Sequence, residues 1–187
     1  MLNKVPRLAA ADRRRQLIGI GLAKLIDQPI HELSLDEIAA EAGISRGLLF
    51  HYFPTKRDYY VAVVQAAARR LLRQTEPDPD AAPAEQLTQT LDAYVSFVER
   101  RREPYLALFR GAAGGADYVI EIYERTRAVF VDRARRALDR APDPRTELVL
   151  HGWFGFVEDV VLAWTAEPTL TRAELLVLLR ESLERMI

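Results

Sequence analysis

The sequence predicts an all-α chain of about nine helices. Three observations carry that expectation. Apolar residues recur at spacings of three and four along most of the 187 residues, the period of a one-sided helix. No alternating apolar and polar run is bounded by hairpin residues, so no strand is expected. Ser, Thr and Asp stand where helices should start, and Gly or Pro where they should stop.

The elements follow in order. Asp12 is the expected cap of the first helix. Its stripe is Leu17, Ile18, Gly21, Leu22, Leu25 and Ile26, and Pro29 closes it. Ser34 and Glu37 read as a capping box for a second helix, Leu35 to Ala42, which Gly43 ends in a left-handed turn. Ser45 caps a third, Arg46 to Tyr52, and Pro54 stops it. Thr55 and Asp58 form the next box, opening a long helix to Gln74. The proline-rich stretch Thr75 to Pro83 is a linker. Leu87, Leu91, Tyr94, Val95 and Val98 mark the fifth helix. Pro104 opens a short one ending at Gly111, and the run from Gly111 to Gly115 is a flexible break. Asp117 starts a helix to about Arg140. Asp143 caps the next, with Pro144 at its first position, and Thr171 with Glu174 opens the last.

Composition narrows the function classes. A chain of 21.2 kDa that is 49% hydrophobic can build a core as one or two domains. With no cysteine, neither a disulfide framework nor a thiolate metal site is available. His31, His51 and His151 are scattered, with no zinc-helix, di-iron, phosphate-loop or nucleophile-elbow pattern. No metal, cofactor or catalytic residue is therefore expected. Met1 to Ala10 lacks the apolar run of a secretory signal. Leu148 to Trp164 is apolar but broken by His151, Glu158 and Asp159, which suits a buried helix better than a membrane span. Charge is unevenly divided. Residues 1–74 carry 12 Lys and Arg against 7 Asp and Glu, and residues 75–187 carry 14 against 20. A basic first part and an acidic remainder suggest two tasks.

Two short helices around a tight turn outline a helix-turn-helix. Each is too short to persist alone, so the first helix must hold them. The second of the pair is a rod that fits a major groove with its N-terminal residues foremost. Arg46 stands at its start, against the helix dipole, and Gly47 permits close approach of a backbone. Arg13, Arg14 and Arg15 crowd another positive helix end, which makes sense beside an anionic backbone.

The stretch "LDEIAAEAGISRGLLFHYFPTKRDYY", Leu35 to Tyr60, resembles the N-terminal signature of the TetR family of bacterial transcription regulators. The resemblance covers about residues 10–60. It implies a three-helix DNA-binding domain, residues 8–56, joined through the fourth helix to a dimeric ligand-binding and dimerisation domain, residues 57–187. It places Ser45, Arg46 and Gly47 at the start of the recognition helix. Phe50, His51 and Tyr52 fall at its groove- and phosphate-facing end. Lys56 would hold a phosphate, and Ser34 would stand near the backbone. Phe50 occupies a position that is commonly Tyr in the family, so a hydroxyl is missing there.

In the second part, Leu148 to Trp164 is apolar nearly all round and must be covered on two sides. The last helix is similarly broad, with Leu175, Leu178, Leu179, Leu183 and Met186. Gly152, Gly155, Asp159 and Ala163 form a stripe of mostly small residues. The expected dimer face combines these nine positions, as the resemblance implies. Tyr94, Phe97, Tyr105, Phe109, Tyr123, Phe130, Trp153 and Phe156 form an aromatic set, with Arg127, Glu158 and Asp159 as polar anchors for a small apolar or aromatic effector.

The combined expectation is a ligand-responsive DNA-binding transcription regulator and not an enzyme. It would be a cytoplasmic homodimer, nucleoid-associated on DNA, without a membrane partner. It would bind a palindromic double-stranded DNA operator and, as the family default implies, repress until a small-molecule effector releases it. The alternative is an all-helical small-molecule-binding protein or enzyme that does not bind DNA.

Overall fold

The computed structural model describes residues 9–25, 28, 30–106, 108, 117–138 and 143–187. Among them are nine α-helices: α1 (Ala10–Lys24), α2 (Leu35–Glu41), α3 (Arg46–Tyr52), α4 (Lys56–Gln74), α5 (Pro83–Arg100), α6 (Arg102–Tyr105), α7 (Asp117–Ala137), α8 (Pro144–Ala166) and α9 (Arg172–Met186). A 3-10 turn, Ile30–Glu32, precedes α2. The all-α expectation holds. Pro29, Phe109 and the Gly111 to Gly115 break lie outside the described residues.

Most helix starts follow the local chemistry. Ser45 Oγ accepts from Leu48 N at 3.2 Å. Thr55 and Asp58 satisfy each other's backbone amides, as do Thr171 and Glu174. Asp143 Oδ1 accepts from Arg145 N and Thr146 N, and Pro144 takes the first position of α8. Gly43 adopts φ +66°, the left-handed residue that lets α2 stop and α3 begin within four residues. Three starts differ from expectation. Asp12 does not cap α1: the helix begins at Ala10 behind Ala9, and Asp12 pairs with Arg15 inside the first turn. Ser34 caps α2, but Glu37 turns to Lys24 on α1 (3.5 Å) and does not reach back. The short helix α6 starts two residues before Pro104, which fits in its first turn because no amide is needed there.

α4 joins everything. It packs on α1 in the head and on α5 and α7 in the body. Tyr59 and Tyr60 close the head from below. The Tyr59 hydroxyl donates to Leu17 O (2.8 Å), and the Tyr60 hydroxyl to Leu33 O (2.7 Å). Both rings are buried with Leu17, Ile38, Leu49 and Phe53. Burial pushes the Tyr59 hydroxyl well above its ordinary pKa, so it stays a donor. The buried residues run without a break from this head core into the body.

The α1–α4 contact depends on Gly21. A Cβ there would collide with the Tyr59 hydroxyl and lie 2.7 Å from Val63 Cγ2. Gly21→Ala is expected to destabilise by about 1–3 kcal/mol through overpacking, a fall in Tm of roughly 2–12 °C at this chain length. Calorimetry of Gly21→Ala with and without Tyr59→Phe tests the cause. The second change removes the colliding oxygen but also its hydrogen bond to Leu17 O, so the double variant should fall less below Tyr59→Phe than Gly21→Ala falls below the parent. An equal fall in both backgrounds would show that the oxygen is not the cause.

The body is tied from several directions. Arg172 on α9 donates to Asp92 Oδ1 (2.8 Å) and Asp92 O (2.6 Å), and pairs with Glu99 (3.2 Å), all on α5. Arg133 on α7 donates to Thr75 O (2.8 Å) and Leu72 O (3.1 Å), capping the end of α4. Trp153 Nε1 donates to Leu179 O (3.1 Å) and Ser182 Oγ (3.0 Å), fastening α8 to α9. α8 is long and apolar enough to cross a membrane by length and composition. Here its Leu150, Trp153, Phe154, Val157 and Val161 are buried, and it packs on α5, α7 and α9.

Candidate nucleic-acid interface

The outer surface of the head is built by α3. Leu49 and Phe53 turn inward and are buried, which fixes the rotation of the helix. Ser45, Arg46, Gly47, Leu48 and His51 then face outward, with Phe50 and Tyr52 half-buried at the edges. Nothing lies within 4 Å of a Cβ at Gly47 except the Ser45 Oγ at 4.0 Å. Its surroundings are open space and not another helix. The His51 and Tyr52 rings meet edge to face at 5.5 Å. Leu48, which its apolar side chain would assign to packing beneath α1 with Leu49 and Phe53, is instead 40% exposed on the outward side of α3. Its place on the Arg46–Gly47 side of the helix was the available signal.

A shallow groove of about 300 Å³ runs between α2, α3 and the start of α4. It brings together four expected residues: Ser34, Arg46, Phe50 and Lys56. Arg46 Nη1 donates to both carboxylate oxygens of Asp36 (2.9 and 2.7 Å), and its guanidinium lies 5.4 Å from the Phe50 ring centroid. The ring that lacks a hydroxyl thus serves as a platform for the arginine. Lys56 Nζ lies 5.1 Å from the Tyr60 ring centroid. Glu32 and Asp36 share the groove, so its charges are mixed.

The three arginines of α1 are placed differently. Arg13 is half-buried and donates to Ala42 O (3.1 Å), satisfying a carbonyl at the end of α2. Arg14 sits over the buried Phe53 ring at 4.8 Å. Arg15 pairs with Asp12. Packing between α1, α2 and α3 accounts for Arg13 and Arg14 against the helix dipole, and Asp12 offsets Arg15.

In the body, the expected aromatic pocket is a filled cluster. Phe130 and Phe154 stack at 4.8 Å, and Tyr94 meets Phe130 edge-on at 5.4 Å. At its centre, buried Glu158 accepts from Tyr105 (2.7 Å) and Tyr123 (2.6 Å), with Arg127 4.0 Å away. Tyr94 and Tyr105 share a hydrogen bond of 2.7 Å. Burial first, then the neighbouring acid, raises the Tyr123 hydroxyl above its ordinary pKa. The residual space beside Tyr105, Tyr123, Arg127, Phe130 and Glu158 is about 10 Å³, too little for a ligand. Tyr94, Tyr123, Arg127 and Phe130 therefore close on one another and leave no room for a ligand, and Trp153 is buried against α9. Phe156 is half-buried and Asp159 is exposed on the outer side of α8.

The open cavity lies nearer the head. It measures about 380 Å³ and is bounded by α1, α4, α5 and α6. Of the expected effector residues, Phe97 and Tyr105 line it, joined by Leu22, Leu25, Ala67 and the Arg100–Arg102 run. Sequence reasoning missed the others because the wall exists only once α1 meets α5.

The expected dimer face divides. Leu175, Leu179 and Leu183 are buried in the chain's own core, as α9 packs on α5 and α8. Gly155 is half-buried beneath Arg127, whose Nη2 would lie 2.9 Å from a Cβ there. Gly152, Asp159, Ala163, Leu178 and Met186 are exposed.

Residues 21–63 match the family model described as "Bacterial regulatory proteins, tetR family", and residues 83–185 match "Tetracyclin repressor-like, C-terminal domain". The HTH-type transcriptional activator FasR of Mycolicibacterium smegmatis is 29% identical over 126 residues, covering 64% of this chain and 52% of FasR. The chain thus spans about half the length of that relative. The uncharacterized HTH-type transcriptional regulator Rv0472c of Mycobacterium tuberculosis is 27% identical over 177 residues, 88% of this chain and 73% of that protein. Among solved structures, a tetR-family transcriptional regulator from Streptomyces coelicolor superposes with TM-score 0.80 at 30% identity, covering 96% of this chain and 82% of that one. A TetR-like regulator from Rhodococcus sp. RHA1 gives TM-score 0.69 at 26% identity, covering 96% and 97%.

Proposed function

The chain belongs to the TetR family of bacterial regulatory proteins and is a DNA-binding transcription regulator; we propose that it acts as a homodimer on a palindromic operator and is released by a small-molecule effector. The observation that carries the DNA contact is the outward face of α3, with Arg46, Gly47, Phe50 and His51 on a helix whose other side is locked into the head core. Arg46 reads bases. Ser34, Ser45, Tyr52 and Lys56 hold the duplex backbone. Arg15, an exposed cation of the α1 group, adds to the positive field, whereas Arg13 and Arg14 contact the packed head through Ala42 O and the Phe53 ring.

The dimer reading rests on exposed apolar surface. Of seven exposed large apolar side chains among the described residues, five belong to α8, α9 and their connection: Leu148, Leu170, Val177, Leu178 and Met186. Such a concentration suits a partner surface, and Gly152 and Ala163 allow close approach of a second α8. Paired heads are what half-sites about 34–36 Å apart require. An effector that fits better when the heads are wrongly spaced weakens operator binding by linkage. We read the sign as repression and the compartment as the cytoplasm, with the nucleoid when DNA is bound. The reading has no enzymatic step.

Light scattering and fluorescence anisotropy test this together. The protein should run at twice its 21.2 kDa chain mass and bind duplex from beside its own gene. Affinity should fall steeply, by about 10³–10⁵-fold if 6–10 phosphates are held, between 50 and 200 mM salt. Ala163→Arg, an exposed position, should give a monomer with weakened duplex binding. A parent that is monomeric yet binds duplex tightly would refute the dimer reading.

A further inference from the structure

We infer that the cavity between α1, α4, α5 and α6 is an effector site for a small amphipathic carboxylate, and that Arg101 receives its charged end. The inference rests on the regulator reading above and names the ligand class and the site. Two observations carry it. The first is the shape and lining of the cavity. Leu22, Leu25, Ala67, Phe97 and Leu108 form an apolar wall around about 380 Å³, the small end of the roughly 300–1,000 Å³ range of ligand pockets. The second is an uncompensated cationic end. Arg70, Arg100, Arg101 and Arg102 line the same cavity, against Glu99 and Glu103. Glu103 is taken by Arg102 (2.9 Å) and Glu99 by Arg172 (3.2 Å). Among the described residues, no acid lies within ion-pair distance of Arg70, Arg100 or Arg101.

Arg101 is the focus. Its guanidinium lies 4.9 Å from the Phe97 ring centroid. Nη1 is closed off without a hydrogen-bond partner, as is Arg102 Nε, so a turn of the Arg101 side chain toward the cavity is what would present the fork to an occupant. A buried cationic N–H without an acceptor is unfavourable, and a carboxylate matches the fork with two parallel bonds. Burial, then the like charges of Arg70 and Arg100, push the Arg101 guanidinium below its ordinary pKa, which marks the same lack of a counter-charge. Arg70 and Arg100 are exposed beside it, a route for an anion to enter.

The position supplies the regulation. Leu22 belongs to the head helix α1 and Leu25 caps its end, Ala67 and Arg70 belong to α4, and Tyr105 to α6. An occupant therefore touches head and body at once. Tyr105 also donates to Glu158 in the body core, so a shift of its ring is felt there. A ligand bridging these helices biases how the head sits on the body, and coupling of about 5–150-fold in duplex affinity is the usual size.

Calorimetry and anisotropy on the full chain test this, with decanoate as the probe and decanol and inorganic phosphate as controls. Decanoate should bind once per chain and weaken duplex binding. Arg101→Met, which keeps the stem and removes the charge, should bind decanoate about ten-fold or more weakly. Ala67→Trp, which fills the cavity from a half-buried position, should abolish binding. Decanol or phosphate binding as tightly as decanoate would overturn the amphipathic-anion assignment. So would decanoate binding unchanged in both variants, or no decanoate binding to a parent that holds duplex well. A parent that binds no duplex would instead sink the regulator reading, whatever the calorimetry gives.

Discussion

On the proposed dimeric reading, Arg46→Ala is expected to cost about 2–6 kcal/mol of operator binding, from about 1–3 kcal/mol for a bidentate base contact at each of two heads. That is roughly 30-fold to more than 10⁴-fold in Kd. The competing partner is Asp36, which accepts two hydrogen bonds from Arg46 in the free protein. Both side chains of that pair are more than 60% exposed, and an exposed pair contributes only about 0–1 kcal/mol. A base edge therefore outcompetes it. The consequence is a sign difference. Asp36→Asn frees Arg46 and removes a negative charge from a surface that meets phosphates, so it should tighten duplex binding at low salt, with the gain fading at high salt. Lys56→Ala should weaken all sequences alike and lower the salt slope by about one per head. Anisotropy on the operator and on a scrambled duplex separates the cases. If Asp36→Asn weakened binding as much as Arg46→Ala, the pair would be a brace for α3 and Arg46 would not be the reader.

The helix-turn-helix was legible because its signals are local. Gly43, Ser45 and the Thr55–Asp58 pair each act on residues within four positions of themselves, and sequence spacing is then spatial spacing. Asp143 and Thr171 were legible for the same reason. Legibility fell where two partners are far apart in the chain. Nothing near Arg13 announces that it will satisfy Ala42 O, 29 residues away. Leu175, Leu179 and Leu183 have the same side chain as Leu178, and only the packing of α9 on α5 and α8 decides which of them is covered by its own chain. The aromatic set was found but its role was not. Rings at helical spacing are equally compatible with a pocket and with a core, and here Phe130, Phe154 and Tyr94 fill the space themselves. The Arg100–Arg102 run was visible in the sequence, but the apolar wall it faces was not, since Leu22, Ala67 and Phe97 come from three different helices.

Glu158→Leu should be among the most destabilising single changes in the body. The carboxylate is 6% exposed, accepts from Tyr105 and Tyr123, and is the counter-charge nearest Arg127. Breaking a buried pair by removing one partner typically costs about 3–5 kcal/mol. The Arg127 separation of 4.0 Å, and its second bond to His151 O (2.6 Å), place the expected value near the low end. A loss of about 3 kcal/mol corresponds to a fall in Tm of roughly 6–12 °C at this size. Two mechanisms contribute and can be separated. If the stranded Arg127 dominates, Glu158→Leu with Arg127→Met should recover much of the loss, because replacing both members of a buried pair by apolar groups is often neutral. If the tyrosine hydroxyls dominate, recovery should come instead from adding Tyr123→Phe, which removes a donor that has lost its acceptor. Failure of both rescues would point to Tyr105, the other donor left without its acceptor, and adding Tyr105→Phe should then recover the loss. The site also bears on the proposed regulation. Tyr105 contacts the acid at one end and the cavity at the other. A variant loosened at Glu158 should therefore lose part of its response to a ligand while keeping duplex binding, because α3 and its head core are built without it.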